Sequence, residues 1–147
     1  MSSNRTWGAL EAAIRRASQS LQEDIRADKL DGTEVVTCED LLPAWAGGRF
    51  EDGDVRTHNG QVWKCVQAHD TASNPDVEPG ASPAIWVPFH TKDPARAKPF
   101  VQPTGAHNSY LKDEVMLWTD GQVYRSIMDG ANAYSPQDYP QGWQVVQ

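Results

Sequence analysis

The side chains of this chain that can hold a metal or move a proton are few and scattered. Histidines stand at His58, His69, His90 and His107, cysteines at Cys38 and Cys65, and the acidic residues number 20. Zinc sites draw such ligands together at short spacings, as in H-E-x-x-H on one helix face or paired C-x-x-C. Neither spacing occurs here. Glycoside hydrolysis needs two carboxyl groups flanking a bond across a cleft, and Asp52 with Asp54, or Asp113 with Glu114, are pairs by sequence. Each pair sits just before a β-type run, on a unit too small to enclose a sugar, and reads as turn residues. A G-x-S-x-G elbow, a Gly-rich phosphate loop and a dinucleotide fingerprint are missing from the sequence as well. The expectation is a protein that is not an enzyme and uses no metal or cofactor.

Composition narrows the partners. The net charge of −7 argues against a nucleic-acid footprint, which concentrates Lys and Arg on one face. No run approaches the roughly 18 apolar residues of a membrane span, so membrane insertion is not expected. "MSSNRTWGALEAAIRR" carries charges where a signal peptide needs its apolar stretch. Synthesis in the cytosol is expected, and with it two free, half-buried thiols at Cys38 and Cys65. Hydrophobic residues make up 39% of the chain and six are Trp, which implies a modest core built around indole rings. A length of 147 residues suits one domain or a pair of very small modules.

The elements that must position any site follow from periodicity. From Thr6 to about Leu30, Trp7, Leu10, Ile14, Ala17, Leu21 and Ile25 recur at threes and fours, one stripe of a helix. Thr6 is the expected N-cap and Gly32 the expected stop. Glu11 before Arg15 and Glu23 before Arg26 add charge pairs on the solvated face. A helix of this kind is marginal alone, so its stripe either folds back on the following unit or joins other chains through Trp7, Leu10, Ile14, Leu21 and Ile25.

After Gly32 the texture changes to short β-type runs separated by turns. "GDVRTHNGQVWKCV" holds Asn59-Gly60 between two runs, and "DEVMLWTDGQVYRSI" holds Asp120-Gly121 in the same place, each a hairpin signal. The likeness extends further: Pro43 answers Pro103, Phe50 answers Tyr110, and Val55 answers Val115 at an offset of sixty. The offset is sixty-one at "GQVW" and "GQVY", because the second turn is one residue longer, and fifty-seven where Trp86 answers Trp143. Repeats of this kind mean duplicated modules. "HTKDPARAKPFVQP" between them has three Pro and no strand periodicity, and reads as a linker or strap.

The pattern "PAW...F..GDV...G..W.C.QAH", closed by "SPAIW", resembles the chitin-binding-type carbohydrate-binding modules of families five and twelve, in the version found in bacteriophage and prophage structural proteins. "QPTGAHNSY", "GQVYRSIMDGANAYSP" and "YPQGW" resemble that phage version more closely still. The resemblance implies a mainly β chain, with an N-terminal α-helix followed by two small repeated antiparallel β modules. The expected division is residues 1–32 for a helical assembly segment, 33–92 for the first module, and 93–147 for the linker and second module. Trp45, Phe50, Trp63 and Trp86, then Tyr110, Tyr124 and Trp143, form the expected aromatic core, joined by Val55 and Val115. A fifty-residue unit needs such large side chains to bury enough apolar area.

Modules of this kind bind sugars by stacking pyranose C–H faces on exposed aromatic rings, often an adjacent Trp pair after the second hairpin strand. "CVQAHD" and "SIMDGANAY" stand there without that pair. The remaining candidates are Trp118 beside the second turn, His58 at the matching place in the first copy, and Tyr134 and Tyr139 in the last loop. Asp70, Asn74, Asp76, Asp129 and Asn132 are turn residues that could instead bond hydroxyls. The implied function is a virion structural protein of the tail, baseplate, fibre or capsid surface. Its expected partners are other virion proteins and host surface glycans, with a homo-oligomer through the helix. A purely structural subunit, or the targeting module of a cell-wall hydrolase, are the alternatives.

Overall fold

The computed structural model describes residues 2–147, with side chains described from residue 7 onward. Helix α1 spans Ser2–Arg26. It begins ahead of Thr6, the expected N-cap, whose side chain lies outside the described residues. The helix stops where Asp28 takes a left-handed backbone, φ 56°. Gly32 is therefore not the stop. It opens a second helix, α2 (Gly32–Thr37), capped by Asp31, whose carboxylate accepts from the Glu34 amide at 2.8 Å. The Glu34 carboxylate accepts from the Asp31 amide at 3.2 Å, completing a capping box. A side chain at position 32 would drive its Cβ to 2.2 Å from the His90 carbonyl oxygen, so glycine is required by close approach.

Eight short strands follow: β1 (Arg49–Phe50), β2 (Val55–His58), β3 (Gln61–Cys65), β4 (His69–Asp70), β5 (Trp86–Pro88), β6 (Val115–Leu117), β7 (Val123–Ser126) and β8 (Trp143–Val145). They form two three-stranded antiparallel sheets, β2-β3-β5 and β6-β7-β8, and a small β1-β4 pair. The chain is thus one long helix and several small antiparallel sheets, mostly β in character.

The two hairpins close differently. Asn59 and Gly60 both take positive φ, 51° and 74°, the two-residue turn that matches strand twist. In the second hairpin only Gly121 does, φ 83°, and the Trp118 amide donates to Gln122 O across the longer loop. Around the turns the bonding coincides. The Asp54 carboxylate accepts from the Glu51 amide at 2.8 Å, and Glu114 accepts from Leu111 at 2.6 Å. Gly53 N donates to Cys65 O as Asp113 N does to Ser126 O. The Trp86 ring N–H reaches Val77 O at 2.8 Å, and the Trp143 ring N–H reaches Tyr134 O at 2.9 Å.

Alternation along the strands sorts the core. On one face of the first sheet Val55 and Val62 are sealed by Leu21 and Ile25 of α1 with Val35, Val36 and Leu42. On the other face Phe50, Trp63, Cys65 and Trp86 pack together, with Trp45 partly buried at the edge. Tyr110, Met116 and Trp143 form the core of the second sheet. Each large side chain so buried stabilises the fold by about 1.5–3 kcal/mol.

Two expected core members fall short. Trp45 is only half-buried, and Tyr124 is a half-buried ring at the cluster's edge. Tyr124 is held there because its hydroxyl donates to the Asp120 carboxylate at 2.7 Å, a partner on the longer, exposed turn. Leu21 and Ile25, expected among the self-association residues, are spent inside the chain: both are under 9% exposed in the first core. Arg26 pairs across to Asp54 instead of back to Glu23.

The Pro-containing segment is a strap bonded to both sheets. Thr91 bridges to Val115 and Pro99 to Leu117. Val101 N donates to the Tyr110 hydroxyl at 3.0 Å, and Val101 itself packs against the Phe50–Trp86 cluster. Glu39 holds Arg96 at 3.1 Å and also pairs with Lys98. The sheets therefore pack through the strap as one body. At its start His90 stacks on Tyr110, ring centroids 3.7 Å apart, and bonds Asn108 O at 3.0 Å through Nε2.

Candidate functional site

The last loop, residues 130–142, is built from the inside outward. Asn132 is fully buried and pairs its backbone with Tyr110 in both directions. Its side-chain amide donates to Ser126 Oγ and to Gly142 O, each at 3.1 Å, and its Oδ1 accepts from the Tyr134 amide at 3.1 Å. The Tyr134 carbonyl is then fixed by the Trp143 ring. Farther out, Asp138 N donates to Ser135 Oγ and Tyr139 N to Ser135 O, both at 3.0 Å. Pro136 and Pro140 remove conformational freedom on either side of this turn.

The product of this frame is an aromatic pair. Tyr134 is 50% exposed and Tyr139 39% exposed, with ring centroids 5.4 Å apart and planes at 51°. Gly142 makes room for them: a Cβ there would lie 2.9 Å from Tyr139 Cδ2 and 3.2 Å from Met128 Sδ. Two tilted, solvent-facing rings on a hydrogen-bonded loop offer apolar faces with hydroxyls at their rims, a surface for a ligand that is itself part apolar and part hydroxylated.

The structure brings together only these two of the predicted contact residues. Trp118 is half-buried, its ring set edge-on against Phe100 at 5.2 Å. It packs at the edge of the second core and stands apart from the exposed tyrosine pair. His58 lies on the first sheet beside Trp45, centroids 5.1 Å apart, and its Nε2 is 3.5 Å from the Glu78 carboxylate, an electrostatic contact longer than a good hydrogen bond. It belongs to a shallow depression shared with Asp40, Thr57 and Gly60.

The polar candidates are mostly engaged. Asp70 Oδ1 accepts from Ala72 N at 2.9 Å, Asn74 N donates to Asp70 O, and Asp129 pairs with Lys112 at 3.1 Å. Asn132 is an internal brace, a role its position in "DGANAY" did not announce because the partners lie in Ser126 and Gly142. Cys38 and Cys65 are both free, and burial raises the Cys65 thiol above its usual range. His69 Nδ1 bonds Gln67 O at 2.8 Å and its ring stacks on Phe50, bracing the loop after the hairpin. Among the described residues no three His, Cys, Asp or Glu side chains gather as a metal site, and no helix is long and apolar enough to cross a membrane.

No curated protein matches the chain. A family does match part of it, from Ala44, which bridges to Thr57, to Val87 in β5. Those residues carry the β2-β3-β5 sheet with Trp63 and Trp86, both under 9% exposed, as its aromatic filling. Residues 44–87 match the model of carbohydrate-binding module family 5/12, and this part of the chain is similar to a carbohydrate-binding module.

Proposed function

We propose that this protein is a non-catalytic virion component of a bacteriophage or prophage, made in the host cytoplasm, that adheres to host surface glycans. Two tandem β modules, residues 33–92 and 93–147, face outward from an N-terminal segment that joins the particle. The tandem reading is supported by the matching turn carboxylates and the matching Trp86 and Trp143 ring bonds. The phage setting is supported by the likeness of "QPTGAHNSY" and "GQVYRSIMDGANAYSP" to the phage version of these modules.

The observation that carries adhesion is the exposed Tyr134–Tyr139 pair. Its affinity for a single sugar would be weak, and many copies on one particle would raise avidity by about a hundredfold or more. The experiment is binding of the protein, displayed in many copies on beads, to a glycan panel and to host cell walls. Retention that falls when Tyr134→Ala and Tyr139→Ala are combined supports the reading. Absence of retention at millimolar sugar overturns it.

A specific observation favours a second reading, a structural subunit whose modules contact other proteins. Within the matched residues 44–87 Trp63 and Trp86 are buried and Trp45 is half-buried, so no Trp there is exposed as Tyr134 and Tyr139 are. On this reading beads carrying the protein retain purified virions lacking it and ignore glycans.

A further inference from the structure

The two halves of α1 carry one apolar stripe into different surroundings. Leu21 and Ile25 close over Val55 and Val62. Trp7, Leu10 and Ile14, farther along the same face, are 64%, 46% and 49% exposed. Ala13 and Ala17 beside them are exposed and small, so a neighbouring surface can approach the helix closely.

The second sheet offers a counterpart to what the lower half of α1 covers. Val123 holds the register position of Val62: each follows a Gly-Gln step, and each pairs across its hairpin, Val62 with Thr57 and Val123 with Leu117. Val62 is sealed beneath α1, with no exposure at all. Val123 is half-buried, and Leu117 is 36% exposed. Cross-strand partners share a face, and the Tyr110–Met116–Trp143 core lies on the opposite one. Ile127, on the Leu117–Val123 side by strand alternation, is 44% exposed.

We propose that the exposed half of α1 from one copy of this chain docks on the Leu117–Val123 face of a second copy, head to tail. One feature selects another copy as the occupant. The same stripe already seals the matching face of the first sheet inside the chain, and the exposed turns continue that interface without a break.

Donor and acceptor are different surfaces, so the contact is heterologous and either closes into a ring or continues as a chain. Pairing of two helices would instead be isologous and end at a dimer. The full chain should show concentration-dependent species larger than a dimer in sedimentation velocity. Leu10→Asp removes the donor and Leu117→Asp the acceptor, and each variant alone should sediment as a monomer. Mixed in equal amounts they should form a one-to-one heterodimer and nothing larger, because each supplies what the other lacks.

Assembly of Leu117→Asp like the parent would overturn the proposal in favour of helix pairing. A mixture that stays monomeric, or a parent chain that is monomeric at millimolar concentration, would overturn it outright. Near-UV circular dichroism reports whether each variant keeps its packed aromatic core. Val123→Glu serves as the acceptor variant if Leu117→Asp does not, since both positions are partly exposed.

Discussion

The imidazole of His90 lies flat against the phenol of Tyr110, centroids 3.7 Å apart and planes at 19°, where the strap leaves the first sheet for the second. Burial makes the imidazolium unfavourable there and lowers the His90 pKa to about 4, while Nε2 keeps its proton for Asn108 O. The same burial raises the Tyr110 hydroxyl above its usual range. The junction is therefore built for a neutral imidazole.

A pH dependence follows. An unfolded histidine titrates near 6.5, so below that pH the unfolded chain takes up a proton that the folded chain refuses until about pH 4. Stability contributed by neutral His90 is complete above pH 7 and is lost as pH falls toward 4. From pH 7 to pH 5 the loss is about 2 kcal/mol. Burial raises the Glu114 carboxyl, and that group works in the opposite direction within its own range. Urea unfolding of the parent and of His90→Asn at both pH values isolates the histidine: the parent should lose about 2 kcal/mol more than the variant on acidification. Equal losses would mean that His90 carries no such linkage.

The spacing of Tyr134 and Tyr139 depends on the absence of a side chain at Gly142. Gly142→Ala puts a methyl group within 2.9 Å of the Tyr139 ring and 3.1 Å of Asn132 Nδ2, so the ring or the brace must move. Overpacking of this kind costs about 1–3 kcal/mol. The variant should unfold at lower urea and, on the adhesion reading, should lose glycan retention although both tyrosines remain. Retention unchanged from the parent would show that ring spacing does not matter for binding.

The two halves of α1 should respond differently to the same substitution. Ile25 is 4% exposed within the first core, and Ile25→Ala removes methyl groups from a packed site, at a cost of about 3 kcal/mol. Ile14 is 49% exposed, so Ile14→Ala should change unfolding free energy by no more than about 0.5 kcal/mol at micromolar concentration. A large loss from Ile14→Ala under those conditions would mean that the upper half of α1 is packed within its own chain.

Much of this architecture was legible in local signals. Asn59-Gly60 and Asp120-Gly121 sit at the tips of β2-β3 and β6-β7, and Trp63, Trp86, Tyr110 and Trp143 are buried as their repeated spacing implies. Gly32 has the form of a common helix stop, yet Asp31 and Glu34 of "DGTE" spell the capping box that opens α2. Tyr124 stays half-buried because the longer second turn brings Asp120 within reach of its hydroxyl, a consequence of geometry that the hairpin pattern does not encode. Trp118 is half-buried with its ring against Phe100 of the strap, and His90 stacks on Tyr110 twenty residues away. Both depend on how the strap lies, and no local pattern in a Pro-containing segment encodes that.

Asn132 is the brace on which the exposed pair rests. Its side chain satisfies Ser126 Oγ, Gly142 O and the Tyr134 amide from a position with no solvent exposure. Asn132→Ala leaves Ser126 Oγ and the Tyr134 amide without that partner, while Gly142 O keeps the Ile127 amide at 3.0 Å, at a cost of about 2 kcal/mol. Asn132→Asp keeps an acceptor for the Tyr134 amide but sets a buried carboxylate against the Gly142 carbonyl, with no proton to offer it. That variant should be the less stable of the two at pH 7 and should recover relative to Asn132→Ala as pH falls and the carboxyl is protonated. Hydrogen exchange at the Tyr134 amide should accelerate in both, most in Asn132→Ala, where the acceptor is gone. Protection of that amide equal to the parent's in Asn132→Ala would show that the loop is held by the Trp143 ring bond alone.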